Sequence, residues 1–335
     1  YMLANASGAD WEERLFYCMR QLEGAYSLVA LTEDTLMAAR DPLGIRPLCI
    51  GKLDGGWIIA SESCALDHLG ATYMRELEPG EVVIIDPQGF RSSVWSGATG
   101  RRALCVFELI YFARPDSLLD NKLVHSVRQE LGAQLAREHP VEADLVIGIP
   151  DSSTAAAVGY ARESGIPFSE GLVKNRYVGR TFIEPEQRMR DLGVRQKFNP
   201  LTEVIAGQRI VVVDDSIVRG TTTPHVVGLL RKAGAAEIHM RVCAPPIKHP
   251  CFMGVDMATR QELIAANQTV DEIRKFIDAD TLGYLDVKGL MKVVGGTNGG
   301  YCDACFTGNY PVPVQLELTK LVLEEPPAEL EILSD

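Results

Sequence analysis

The sequence predicts two architectures in succession, a mainly antiparallel α+β region and then an α/β domain on a parallel sheet. Three observations carry this. Between Tyr26 and Ile85, short apolar runs alternate with turn chemistry such as Asp54-Gly55-Gly56 and Glu78-Pro79-Gly80, the pattern of hairpin-connected strands. After Ala103, strand-like and helix-like stretches alternate, which calls for parallel strands joined by crossover helices. The segment Arg209-Ile-Val-Val-Val-Asp-Asp-Ser-Ile-Val-Arg-Gly-Thr-Thr-Thr223 is a β-branched run that stops at two adjacent carboxylates and passes into a small, hydroxyl-rich loop. A buried parallel strand delivers a polar site in this way.

In chain order, Trp11, Leu15, Cys18, Met19 and Leu22 recur at helical spacing. Strands are expected at Tyr26 to Leu31, Thr35 to Ala39, Leu48 to Ile50, Trp57 to Ala60 and Glu81 to Ile85. The polar, Gly-rich stretch Ser92 to Arg102 is the expected boundary, dividing the chain into residues 1–100, 101–320 and an acidic tail, 321–335. Beyond it come a helix at Val124 to Glu138, a strand at Leu145 to Ile149, a loop at Pro150 to Thr154 and an Ala-rich helix through Glu163. The Ile210 strand follows, then a helix at Val226 to Ala233, with Thr223-Pro224 as its N-cap and first-turn Pro.

Composition narrows the function. The 335 residues carry a net charge of −12, which argues against nucleic acid as a partner. No apolar stretch is long enough for a membrane span and nothing resembles a signal peptide, so a soluble cytoplasmic protein is expected. The chain opens at Tyr1 in what reads as mid-domain, and an N-terminal portion is expected to be missing. Of eight cysteines, only Cys302 and Cys305 form a C-x-x-C pair. That pair alone fits zinc, an iron-sulfur cluster, a redox dithiol or chance. Cys18, Cys49, Cys64 and Cys243 lie in apolar runs and are expected in the core.

Two strand ends, at Ile149 and Asp214, should bring polar loops to one edge of one sheet, where open α/β sheets bind ligands. Asp214 and Asp215 suit a polyol or a cation, and the Ser216 to Thr223 loop offers N–H groups and hydroxyls to a phosphate. Helix capping by the Asp pair is the plainer alternative, but the loop is richer in Gly and Thr than a cap requires. A phosphorylated sugar is the expected ligand. Lys174 to Phe198 carries seven basic residues against three acidic ones. It reads either as a solvated loop or as a basic lid hinged at Gly179 over a diphosphate. Asp278-Ala-Asp-Thr-Leu-Gly-Tyr-Leu-Asp hints at a calcium loop, but Leu282 and Gly289 stand where ligands belong. Gly295-Gly-Thr-Asn-Gly-Gly300 reads as a connector.

The Asp-Asp string resembles the phosphoribosyl pyrophosphate (PRPP) motif of type I phosphoribosyltransferases. Together with Tyr111-Phe-Ala-Arg-Pro-Asp-Ser117 and Lys174-Asn-Arg-Tyr-Val-Gly-Arg-Thr-Phe-Ile183, it closely resembles the glutamine PRPP amidotransferases, from about Gly24 to Pro311. The resemblance implies an Ntn-hydrolase-like glutaminase region with antiparallel sheets and a type I phosphoribosyltransferase domain. It implies the first step of purine biosynthesis, in which ammonia from glutamine displaces pyrophosphate from PRPP to give phosphoribosylamine. It assigns Mg²⁺ to Ser152, Asp214 and Asp215, and PRPP binding to Ser216, Arg219, Gly220, Thr221, Thr222 and Thr223. Lys174, Tyr177 and Arg180 fall to the lid, and Tyr111 to coupling between the two activities. A 4Fe-4S cluster on Cys105, Cys251, Cys302 and Cys305 is implied, as are purine-nucleotide inhibition and a homo-oligomer, often a tetramer. One departure is serious: no cysteine precedes Cys18, so the glutaminase nucleophile is expected to be absent and glutamine not to be hydrolysed. The alternatives are a PRPP-binding regulator without catalysis and another type I phosphoribosyltransferase.

Overall fold

Hairpin chemistry shapes the N-terminal part of the computed structural model, which describes residues 1–98, 100–175, 177, 197–255, 259–295 and 300–314. Helices α1 (Met2–Asn5) and α2 (Trp11–Gln21) lead into strands β1 (Ser27–Leu31), β2 (Leu36–Arg40), β3 (Cys49–Leu53) and β4 (Gly56–Ala60). Helix α3 (Ser63–His68) and strands β5 (Thr72–Glu76), β6 (Glu81–Asp86) and β7 (Gly89–Val94) follow. Asp54 and Gly55 both take positive φ, 48° and 82°, the two-residue turn whose twist suits a hairpin. All pairings are antiparallel, in the orders β1-β2-β6-β7 and β4-β3-β5. Period-two burial along β2 makes the layers: Met37 and Ala39 pack with Leu15 and Met19 of α2, while Ala38 packs with Leu48 and Ile50 toward the second sheet.

The later part alternates as expected. Strand β8 (Ala103–Cys105), a π-helical turn Glu108–Phe112 and the short pair β9 (Leu118–Leu119) and β10 (Lys122–Leu123) precede helix α4 (Val124–Glu138). Then come β11 (Leu145–Gly148), α5 (Thr154–Ser164), β12 (Leu172–Lys174), β13 (Phe198–Pro200), α6 (Thr202–Ile205), β14 (Arg209–Asp214) and α7 (Thr223–Lys232). The chain continues through β15 (Glu237–Val242), α8 (Ile264–Asn267), α9 (Val270–Phe276), β16 (Thr281–Tyr284), α10 (Val287–Val294), β17 (Gly300–Cys302) and α11 (Ala304–Thr307). The main sheet is parallel, in the order β11-β14-β15-β16. One face buries Val146, Val211 and Val213 with α4 and α5, and the other buries Ile147, Val212 and Met240 with α7 and α9. Helices α4 and α5 touch backbone to backbone, since a Cβ on Gly132 would lie 1.8 Å from the Ala156 oxygen and one on Gly159 1.8 Å from that of Gln129.

The two parts are stitched together at β8. Ala103 N–H donates to the Leu43 carbonyl and Cys105 N–H to that of Ile45, at 2.8 and 3.0 Å. Arg46 pairs with Glu108 at 2.8 Å. Strand β17 returns to β8 in parallel, with Cys302 opposite Cys105.

Several expectations shift. Ser92 to Val94 belong to β7, because their alternation pairs with β6, so the inter-part stretch starts later than Ser92. Thr281–Tyr284 is a strand of the main sheet, which removes the calcium-loop reading. Gly295 ends α10 with φ 75° and Gly300 opens β17, while 296–299 lie outside the described residues. Cys18, Cys49, Cys64 and Cys243 are buried thiols as expected.

Candidate active site

The carboxyl end of the parallel sheet gathers the polar residues. Strand β14 ends at Asp214, and the N–H of Asp215 turns back to donate to Asp214 Oδ1 at 2.9 Å. From the adjoining end of β11, the Ser153 hydroxyl donates to Asp214 Oδ1 at 3.3 Å and the Ser152 hydroxyl hydrogen-bonds Asp215. The Ser216 hydroxyl donates to Asp215 Oδ1 at 2.7 Å. Both serines lie in the Pro150 to Thr154 loop that the sequence brings to this edge, and Ser153 is 1% exposed. Its neighbour in a Ser-Ser-Thr run has the same signature, so only geometry separates them.

Burial, then the charge of Asp215, pushes the Asp214 carboxyl well above the usual carboxylate range. Asp215 is also raised by burial, against the hydroxyls of Ser152 and Ser216 and the charge of Arg128, which pull it down. The pair therefore holds stored electrostatic cost that a cation or a developing positive charge would relieve. Among the described residues no three His, Cys, Asp or Glu side chains converge as a metal cage. Mg²⁺ does not need one, because it takes one or two carboxylates plus water and substrate oxygens.

The loop after β14 crosses the sheet edge to α7. Gly220 takes φ +71°, which strains any residue with a Cβ, and a Cβ there would also meet the tip of the Ile264 side chain at 2.6 Å. Thr221 and Thr222 are exposed. Thr222 is the N-cap of α7 and Thr223 its first residue, 6% exposed, which moves the cap one residue earlier than expected and turns the Thr223 side chain inward. Arg219 is paired with Glu262 at 3.0 Å.

Lys174 sits at the end of β12 and pairs with Asp151 at 3.0 Å, beside a loop with a cis Pro150-Asp151 bond. Tyr177 is fully exposed, its N–H donating to Asn175 Oδ1 at 3.0 Å. Arg180 and the rest of the expected lid, 176 and 178–196, lie outside the described residues.

Tyr111, 45% exposed, lies in the π-helical turn. Three side chains with no such role in the sequence reading hold this segment. The buried Arg128 donates to the carbonyls of Leu109 and Ala113 at 3.0 and 2.7 Å. Across the junction, Glu62 Oε2 accepts the Arg114 N–H at 2.8 Å and the Ser117 hydroxyl at 2.7 Å, and Ser63 Oγ accepts the Leu118 N–H at 2.8 Å. None of these interactions has a local sequence signal, because the partners are 15 to 55 residues apart.

Cys105, Cys251, Cys302 and Cys305 are all part-buried and electrostatic neighbours. Each sulfur faces a backbone N–H: Phe107 to Cys105, Met253 to Cys251 at 3.3 Å, Ala304 to Cys302, and Cys305 its own. These donors offset only part of the burial that raises the thiols of Cys105, Cys302 and Cys305 above the ordinary range, and among the described residues the four sulfurs do not converge as a metal cage.

Comparison with known proteins fits both parts. Residues 115–251 match the phosphoribosyl transferase domain family, and residues 4–68 match a glutamine amidotransferase domain family. A solved glutamine PRPP amidotransferase from B. subtilis, complexed with ADP and GMP, superimposes with a TM-score of 0.87 at 48% identity, covering 95% of this chain and 70% of that one. This chain belongs to the glutamine PRPP amidotransferase family. The amidophosphoribosyltransferases of Synechococcus elongatus and Bacillus subtilis are 48% and 51% identical over 329 and 300 residues, or 96% and 88% of this chain. The chain spans 66% and 63% of those relatives. No described helix is long and apolar enough to cross a membrane.

Proposed function

We propose that this chain carries the PRPP-using half of an amidophosphoribosyltransferase, in which ammonia displaces pyrophosphate at C1 of PRPP in the first step of purine biosynthesis. The observation that carries this is the Asp214-Asp215 pair, braced by Ser152 and Ser153 at the mouth of a glycine- and threonine-rich loop. The carboxylates face the ribose, where positive charge develops as pyrophosphate leaves. N–H groups and hydroxyls of Ser216 to Thr222 take the 5′-phosphate, with Arg219 leaving Glu262 to join them and Thr223 anchoring the loop from below. Lys174, Tyr177 and Arg180 act on the diphosphate side and exclude water. Tyr111 stands at the junction with the amidotransferase part, residues 1–100, and the transferase occupies 101–320. Mg²⁺ would be held by Ser152, Asp214 and Asp215, and when bound it supplies Lewis-acid stabilisation of the departing diphosphate.

The proximity of the four thiols supports a structural 4Fe-4S cluster that Cys105, Cys251, Cys302 and Cys305 would hold once drawn together. Purine-nucleotide inhibition, a tetramer and a cytoplasmic location belong to the same reading. The test is pyrophosphate release from PRPP and Mg²⁺ with ammonia or with glutamine. Ammonia-dependent release is expected. Release with neither donor would favour another type I phosphoribosyltransferase, and binding without release a regulator. Anaerobic iron and sulfide analysis decides the cluster, and zinc in its place would refute it.

A further inference from the structure

Tyr284 ends β16 in the same pleat row as Asp214, because Asp214 pairs with Val242 and Val242 with Tyr284. Paired residues of neighbouring strands project to the same side of a sheet, so both side chains leave by the face that α7 and α9 cover. Two strand spacings put their Cα atoms roughly 9.6 Å apart, with only the Val242 side chain between them in that row. Tyr284 is 6% exposed and packs with Val242 and Ile264. Its hydroxyl is buried and has no hydrogen-bond partner among the described residues.

A buried hydroxyl without a partner costs stability, and phenylalanine would fill the same space without that cost. The phenol is close enough that the Asp214 charge, after burial, raises its pKa. Asp214 has room for another donor, since among the described residues both hydrogen bonds to it fall on Oδ1, and a carboxylate accepts about four.

We propose that Tyr284 is a positioning residue for Asp214, its hydroxyl donating to the carboxylate from the core side, directly or through one water, when Asp214 engages the ribose. This rests on the reading of Asp214 as a substrate-facing group. The hydrogen bond fixes the carboxylate's orientation, so its absence should be felt in turnover more than in PRPP binding.

The test compares the unaltered chain, Tyr284→Phe and Tyr284→Leu by thermal melting and by ammonia-dependent pyrophosphate release from PRPP and Mg²⁺. For Tyr284→Phe the expected result is an unchanged or higher Tm, a KM for PRPP within twofold and a kcat lower by about tenfold. Tyr284→Leu, which also empties core volume, should melt lower. The proposal is overturned if Tyr284→Phe keeps its kcat within twofold, or if it melts as low as Tyr284→Leu while its folded fraction turns over normally. If the unaltered chain neither binds PRPP nor releases pyrophosphate, the parent reading fails and takes the proposal with it.

Discussion

Buried charge is handled in opposite ways in the antiparallel part and at the carboxyl edge of the parallel sheet. In the antiparallel part each buried charge is surrounded by partners. Glu81, 2% exposed, accepts from both ends of the Arg75 guanidinium, the Glu78 N–H and the Ser92 hydroxyl, which together hold its pKa below the usual glutamate value against burial. Asp41 accepts N–H groups from Leu43, Ile45 and Arg46, and Arg40 donates to the carbonyls of Gly44, Arg46 and Leu77. At the parallel sheet's edge, Asp214 and Asp215 have hydroxyls and one N–H but no contacting cation among the described residues. Saturated charges build structure, whereas unsaturated ones await something from outside.

The sharpest way to break this contrast is to neutralise one charge from each class. Asp214→Asn should lower PRPP-dependent turnover at least ~100-fold, about 2.7 kcal/mol of transition-state stabilisation, with no loss of Tm. Glu81→Ala should instead cost about 3 kcal/mol of folding stability by stranding its partners, read from urea midpoints. If Asp214→Asn were strongly destabilised, the pair would be structural and the contrast would fail.

Acid titration separates Glu81 from the Asp214-Asp215 pair by sign, although burial also raises Asp41. Glu81, with its folded pKa depressed, contributes stability that is present above its unfolded value near 4.3 and is lost as pH falls through the folded value. The Asp214-Asp215 pair, raised in the fold, does the reverse: its penalty is absent below about pH 4 and grows as pH climbs toward the raised value. The stability gap between Asp214→Asn and the parent should therefore favour the variant at pH 7 and close near pH 4. A gap independent of pH would show that Asp214 is not raised.

Smaller effects test whether the parallel part is loosely built overall or open only at its site. Gly132→Ala should cost roughly 1–3 kcal/mol by forcing α4 from α5, as tight a constraint as any in the antiparallel sheets. Arg137→Ala, which removes surface pairs with Glu130 and Glu163, should change stability by less than about 1 kcal/mol.

Much of this was legible in the chain's local grammar. The helix Val124–Glu138 appears at its expected bounds, and the strand that ends at Asp214 declares itself by a β-branched run. Strands β5 and β7 escaped notice because Thr72–Glu76 and Gly89–Val94 carry charged and polar residues, so their apolar alternation is weak. Strand β15, with His239 and Arg241 buried on one face, reads as amphipathic although every residue after Glu237 is buried. Glu62, Ser63 and Arg128 have roles set by long-range contacts, for which a single side chain carries no local mark.

The pairing of β17 with β8 joins residues almost two hundred positions apart. Closing so long a loop is entropically expensive until the intervening sheet has compacted. Cys302 and Cys305 should therefore meet Cys105 only after the main sheet has formed. The thiols would spend the early folding period dispersed, which makes the docking of β17 on β8 the step that brings Cys302 beside Cys105.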